Sequence, residues 1–417
     1  MPVQQEHSRI VRQSYQLLQQ YLAKRPLECF DRVDFRAIPW LITIQQARAR
    51  GNPLASLTLK AIFVSAMTAP FLLRKMLGVK PTMTASGLAF YASALIECYL
   101  LEGSMEFLDK AAKLLECLLK MNVNTPEKPA WGFPFAWQSF EYLPANTPIG
   151  YTTYTCADAF FAYYRATADK QALATAISAC TFIAERINRT PCGDGTALSY
   201  TPLDTSQVPN SNSLVASLML ALDQASGTRH FTDLAESVFR FILHRQQPDG
   251  SWFYAADGTR IDHYHTAMTI QGLVAGLSGI RDQYLKERVQ VAVRRGVEFH
   301  LKYLWRKGIP CNSTKVMFPL DPMSPAESII LFHMLLESDS CLASEMQIKV
   351  RDCWLETAIW TVQHMQYKDG AFPTLYHPLR SLLLRSLRWG DAQLLRALAL
   401  TVRRFDMLHD PSPVASR

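Results

Sequence analysis

The stretch His244-Arg-Gln-Gln-Pro-Asp-Gly-Ser-Trp-Phe-Tyr254 sets a glutamine, an Asp-Gly turn and an aromatic residue at fixed offsets, and the arrangement returns as Gln366-Tyr-Lys-Asp-Gly-Ala-Phe372. A weaker version stands at Trp131-Gly-Phe133. Glycine-centred turns at Gly78, Gly132, Gly195, Gly250, Gly308 and Gly370 are separated by 54, 63, 55, 58 and 62 residues, an internal period of about 60. Such a unit holds two helices of about 15–20 residues and two short connections. Six of them fill the chain.

Between the turns the apolar residues keep helical spacing, as in Leu88, Tyr91, Ala92, Leu95, Cys98 and Tyr99, and again in Leu214, Leu218, Leu220 and Leu222. No run of alternating strand residues competes. Helices are expected near 82–101, 105–121, 149–168, 170–190, 210–226, 229–246, 263–279, 285–305, 324–338, 343–366 and 388–407. The architecture this implies is all-α: an (α/α)6 toroid, a closed ring of helical hairpins. Residues 1–417 read as one toroid domain, with 1–50 a leading helical segment and 51–410 the six hairpins, since no Ser/Gly-rich linker divides the chain. Each glycine turn should lead into an inner helix, placing all six at one end of the ring. Helix N-termini there would surround a funnel whose unpaired N–H groups suit an anionic or hydroxyl-rich ligand.

Apolar residues make up 49% and charged residues 19% of the 417-residue chain, the balance of a packed globule and not of a disordered one. The net charge of +7 is scattered without a basic stripe of interleaved aromatics, which argues against nucleic acid as a partner and leaves acidic substrates or a membrane surface. Nine cysteines show no CxxC pair, and Cys98, Cys117 and Cys180 fall in apolar helix patterns, as reduced core residues do. The segment Met-Pro-Val-Gln-Gln-Glu-His7 has no export-signal pattern. The longest apolar run, Ala61 to Leu73, is short and interrupted by proline. A cytoplasmic location is the expectation.

The candidate chemistry gathers at inner-helix starts. Ile261-Asp-His-Tyr-His-Thr266 follows a turn directly, and His263 and His265 lie about 200° apart on a helix, so the two cannot share one face. Either histidine is a candidate base or sugar ligand in the funnel. Asp262 and Tyr264 beside them are substrate-binding candidates, and the plainer alternative has Asp262 capping the helix while one histidine packs against a neighbour. Further Cys or carboxylate ligands of a zinc set are missing, so no metal and no cofactor is expected. In the block Trp131-Gly-Phe-Pro-Phe-Ala-Trp-Gln-Ser139 the rings either fill core or stack on sugar; Trp137 and Gln138 are the better ligand candidates, with Trp131 beside them. Asn210, in Val208-Pro-Asn-Ser-Asn212, either caps a helix or donates to a substrate carboxylate. With that charge neutralised, Tyr200 or a histidine could remove the adjacent proton, as a uronate epimerase or lyase requires.

Five blocks in order, namely 131–139, Ser199-Tyr-Thr-Pro-Leu-Asp204 with Asn210, Gln246-Gln-Pro-Asp-Gly-Ser-Trp252, 261–266 and Arg388-Trp389, resemble those of the VpsJ-like toroid proteins of bacterial exopolysaccharide biosynthesis. The resemblance spans most of residues 60–400 and adds Trp252, Arg388 and Trp389 to the substrate-binding candidates. It also marks a departure: a histidine expected after Phe318-Pro-Leu-Asp-Pro-Met-Ser324 is Met323 here. Glu327 is then either a substitute base or, preferably, a solvated helix residue. The Gln-x-x-Asp-Gly-Ser-Trp turns are similar to those of triterpene cyclases and prenyltransferase-like toroids too. Their Asp-x-Asp-Asp and Asp-Asp-x-x-Asp clusters are missing, however, and Trp252 and Phe372 read as wedges between repeats.

The leading expectation is a carbohydrate-active protein of surface-polysaccharide assembly, an epimerase acting on a uronic acid or amino sugar. A carbohydrate or lipid-linked sugar precursor would be its ligand, and a polysaccharide synthase complex its peripheral partner. A non-catalytic sugar-binding scaffold is the second reading, and isoprenoid chemistry in a dry apolar cavity the third.

Overall fold

The computed structural model describes residues 2–255, 258–306, 308–337 and 342–409. Its helices are α1 (Pro2–Lys24), α2 (Pro39–Ala49), α3 (Pro53–Thr68), α4 (Pro70–Met76), α5 (Ala85–Glu102), α6 (Met105–Lys120), α7 (Gly150–Thr167) and α8 (Lys170–Arg186). They continue as α9 (Pro209–Ser226), α10 (Thr232–Arg245), α11 (His263–Gly276), α12 (Gln283–Tyr303), α13 (Met323–Glu337), α14 (Ser344–Met365) and α15 (Ala392–His409). Helices α5, α7, α9, α11, α13 and α15 form the inner ring, each packed on the next, and α15 returns to α5 to close it. Inner helices are buried nearly all round: in α5 every residue from Ala85 to Ile96 is buried, the pattern of a helix with protein on all sides. Outer helices bury one stripe, as α6 does with Phe107, Leu108, Ala111, Leu114, Leu115 and Leu118. The (α/α)6 toroid is therefore the observed fold.

The repeat turn is held by a specific set of bonds. Gln246 Nε2 donates to the carbonyls of Gly250 and of Ala292 on α12, at 3.0 Å each. Gln366 repeats this with Gly370 and with Ser14 on α1, again at 3.0 Å. Gly250 and Gly370 have φ of +93° and +94°, and a side chain on either would collide with the backbone of Arg295 or Leu17 on the same neighbouring helices. The turn thus clips one outer helix to the next, and glycine is required both by its conformation and by that close approach.

This correspondence gives α1 the place of an outer helix against α14 and α15, which moves the boundary expected at residue 50. Residues 2–24 belong to the ring, the hairpin series begins at α5, and residues 25–84 form a long connection between outer α1 and inner α5. That connection folds as a cap of α2, α3 and α4 around its own small core of Phe35, Leu41 and Ala66. All six glycine turns fall on outer-to-inner connections, Gly78 at the end of the cap. Three connections also carry short antiparallel hairpins, β1 (Trp137–Gln138) with β2 (Tyr142–Leu143), β3 (Arg189–Cys192) with β4 (Gly195–Leu198), and β5 (Trp305–Arg306) with β6 (Ile309–Pro310). Strands of two to four residues are too short to show alternation.

Candidate functional site

A cavity of about 380 Å³ opens where the inner helices begin. Tyr151 of α7, Asn210 of α9, Tyr264 and His265 of α11 and Met323 of α13 all stand within the first turn of their helices and line it. The connections add Trp137, Tyr200, Tyr254, Arg260, Asn312, Asp321, Arg388 and Trp389, and the cap adds Arg32, Val33, Arg36 and Phe63. Of the residues expected from sequence, Trp137, Tyr200, Asn210, Tyr264, His265, Arg388 and Trp389 meet in this one space.

The two histidines separate as their helical spacing requires. His265 Nδ1–H donates to both carboxylate oxygens of Asp262, at 2.7 and 2.8 Å. A carboxylate only accepts, so Nδ1 carries a proton toward Asp262 and Nε2 is the ring nitrogen that this carboxylate does not engage. Tyr254 and Tyr264 flank the imidazole, with ring centroids 4.4 and 3.9 Å away. Asp262 is the N-cap of α11, accepting from His265 N–H at 3.1 Å. Burial raises its carboxyl, but His265 and Arg260 outweigh that and hold it below its ordinary value.

His263 is placed differently from its expected catalytic role. Its side chain is fully buried, Nδ1–H donating to the Cys311 carbonyl at 3.0 Å and Nε2 accepting from the Ser328 hydroxyl at 2.7 Å. Burial depresses its pKa to about 4. Both nitrogens are spent on the fold, and no substrate can reach them.

Other expectations are corrected on the same physical ground. Trp131 is wholly buried, donates to Leu118 O at 2.7 Å and stacks near Phe160, so it is core and not a sugar platform. Trp252 donates to Ile242 O at 3.0 Å and packs against Gly296 of α12, as a wedge between repeats. Gln138 lies on β1 outside the cavity lining. Asp262 serves the cavity through His265. Tyr200 lines the cavity, but burial raises its phenol above the ordinary value, which makes it a proton donor at neutral pH and not the base. Asn210 does not cap α9, whose N-cap is Val208 without a side-chain bond; Asn212 pins the helix start to Leu198 instead. The Asn210 amide oxygen and Trp137 Nε1 are buried without a protein partner, and both residues line the cavity.

Glu327 is not solvated. It is buried one turn into α13, accepts from Gln271 at 2.9 Å and from Gln393 at 2.7 Å, and is raised by burial against the pull of those amides and of Arg396. It sits beneath Phe90, Tyr151 and Met268, which line both the main cavity and the small void that reaches Glu327. The position that the resemblance associates with histidine, Met323, lines the main cavity itself.

Four arginines line the cavity, and Arg32, Arg260 and Arg388 are each paired with an aspartate. Arg388 pairs with Asp31 at 3.0 Å and lies 4.1 Å from the centre of the Phe133 ring. Arg32 pairs with Asp321 at 2.7 Å and stacks 3.7 Å from the Trp389 ring, while Trp389 Nε1 donates to Asp31 at 3.1 Å. Arg36 lies over Phe63, and among the described residues it has no carboxylate partner. Burial lowers its pKa, with the neighbouring Arg32 adding to the effect, so an anion would be welcome there. Sequence reasoning missed Arg32, Arg36, Tyr151, Tyr254, Arg260 and Asp321. Tyr254 closes the opening motif and stands in plain view; Arg36 has as its one signal the long segment without acids that begins at Phe35, and Arg32, between Asp31 and Asp34, has none. Among the described residues no group of three or more His, Cys, Asp or Glu gathers as a metal site.

No protein-family model and no curated protein matches the chain. Solved structures do. A cellobiose 2-epimerase from Bacillus thermoamylovorans has a TM-score of 0.59 at 11% identity, over 77% of this chain and 88% of that one. A polysaccharide lyase has a TM-score of 0.55 at 12% identity, over 79% and 92%. An α-1,6-mannanase from Salegentibacter has a TM-score of 0.55 at 13% identity, over 78% and 90%. The chain has the (α/α) toroid fold of these carbohydrate-active enzymes.

Proposed function

We propose that the protein is a carbohydrate-active enzyme that moves a proton at a carbon next to a carboxylate or carbonyl, an epimerase acting on a uronic acid or amino sugar of surface-polysaccharide assembly. The observation that carries this reading is the Asp262–His265 pair at the wall of a cavity that also holds Arg36 and Arg388. In the step, the substrate C–H bond breaks, its proton goes to His265 Nε2, and the electron pair moves into the adjacent carboxylate. A guanidinium next to that group stabilises the charge as it develops. Asp262 stabilises the imidazolium and holds its tautomer. A protonated phenol, Tyr200 or Tyr254, returns a proton from another side and inverts the centre. Trp137, with Tyr264 and Trp389, supplies ring faces for the sugar. The fold likeness to epimerases, a lyase and a mannanase supports the substrate class. Four arginines in the lining argue against an apolar isoprenoid pocket.

The test is incubation with uronates, amino sugars and their lipid-linked forms in heavy water. Deuterium at the carbon next to the carboxylate or carbonyl, dependent on His265, is the expected result. Tight binding without exchange would replace the enzyme by a sugar-binding scaffold, and turnover of a polyprenyl substrate would overturn the carbohydrate reading.

A further inference from the structure

The cap presents an apolar face that the ring does not cover. In α3, Leu54, Leu57, Ala61 and Val64 recur at i, i+3, i+7 and i+10 and all face solvent, Leu54 being 73% exposed. Helix α4 adds Phe71, Leu72 and Met76, the last 74% exposed, and Trp40 stands exposed at the start of α2. Helix α3 is mostly apolar, its polar side chains being Ser56, Thr58, Lys60, Ser65 and Thr68, yet only Ala55 and Ala66 among its described side chains are buried. A helix of that composition is normally covered.

The charge around this face says what covers it. From Phe35 to Ile96 the chain has no Asp or Glu, while Arg36, Arg48, Arg50, Lys60, Arg74, Lys75 and Lys80 fall within that span. Arg74 is buried and neutralised by Asp34 at 2.9 Å. Arg48, Arg50, Lys60, Lys75 and Lys80 are exposed. A second copy seated on the same face would bring these like charges together. An anionic bilayer offers phosphates to the bases and acyl chains to the leucines. Among the described residues no single helix is long and apolar enough to cross a membrane, and α3 and α4 are bent by 116° at their junction.

We infer that α2–α4 are an interfacial membrane anchor, the apolar face of α3 and α4 immersed among the lipids and the bases on anionic headgroups. This does not depend on the reaction proposed for the cavity. Arg36 and Phe63 line both the cavity and an apolar groove of the cap bounded by Leu41, Leu59 and Lys60. Docking therefore brings the cavity mouth close to the headgroup layer.

The experiment is co-sedimentation of the full chain with phosphatidylcholine vesicles, with and without phosphatidylglycerol, at low and high salt. The wild type should bind the anionic vesicles about tenfold or more above neutral ones, and salt should weaken this binding. Leu54→Glu/Leu57→Glu and Arg48→Glu/Lys60→Glu change exposed side chains; each should lose most of the binding while keeping the wild-type melting temperature. Absence of binding to anionic vesicles, or full binding by both folded variants, overturns the inference. So does a dimer in light scattering without lipid that Leu54→Glu/Leu57→Glu breaks, since a second copy would then own the face.

Discussion

Replacing Asp262 by Asn separates the fold from the chemistry at α11. The amide oxygen of the new side chain keeps a cap acceptor where the Asp262 carboxylate now stands, 3.1 Å from the His265 backbone N–H, and Arg260, released from its pair, is 61% exposed and returns to water. The stability cost should therefore stay near 1 kcal/mol or below. Catalysis loses more. The imidazolium formed in the proposed step lies against the carboxylate, with charge centres about 4 Å apart, worth about 4 kcal/mol at an effective dielectric of about 20. Arg260 already draws on the same carboxylate, which trims the loss. At about 1.4 kcal/mol per decade, a fall of about 10²–10³ in the exchange rate is expected, with little change in KM. The assay is deuterium wash-in at saturating substrate beside a thermal melt. Exchange by Asp262→Asn at the wild-type rate, with the melt unchanged, would refute the assignment of His265 as an Asp-supported base.

His263→Gln should behave in the opposite way, costing about 1–3 kcal/mol in a denaturant titration because the bonds to Cys311 and Ser328 are buried, while folded enzyme keeps its exchange rate. A rate loss at unchanged stability would return His263 to the chemistry. Arg36→Gln should raise KM for an acidic sugar about tenfold and leave a neutral analogue unaffected, about 1.4 kcal/mol of binding in one steady-state comparison; equal changes for both sugars would remove Arg36 from the anion site. The depressed Asp262 carboxyl adds stability that is fully present above its unfolded value near 3.8 and is lost as pH falls through the lower folded value. Wild type should thus lose more stability than Asp262→Asn on acidification below about pH 4, and parallel acid profiles would contradict this.

The ring was legible because its signal is a chemical one repeated along the chain. Gln246 and Gln366 need a glycine four residues on, since the same amide must reach the turn carbonyl and the next helix at once. The place of α1 was not legible. Its contacts join Ser14 and Leu17 to a turn more than 350 residues away, and nothing local in Pro2–Lys24 distinguishes an outer ring helix from a leading one. The cap was hidden for another reason. Its apolar residues keep helical spacing whether they face a core or a solvent, so Ala61 to Leu73 could be seen as apolar without showing which way it points.

The site divides along the same line, between what bonding pattern states and what burial decides. Asp262 three residues before His265 is a local pattern, and the capping geometry that fixes it also selects His265 over His263: one residue faces the cap, the other, rotated by about 200°, faces Cys311 and Ser328. Trp131, Trp137 and Trp252 offer the same ring to a reader of sequence. Only the depth of each connection distinguishes them, because Trp131 and Trp252 have backbone carbonyls on a preceding outer helix for their indole N–H, and Trp137 has none. An indole that spends its donor on the fold is a wedge, whereas one held at a cavity wall without a partner retains a donor for a ligand. The same test sorts Asn212, whose amide is fully occupied by Leu198 and Val208, from Asn210, whose oxygen is not. Two asparagines two residues apart on one helix thus differ in surroundings because about 200° of helical rotation sends one to the scaffold and the other to the cavity wall.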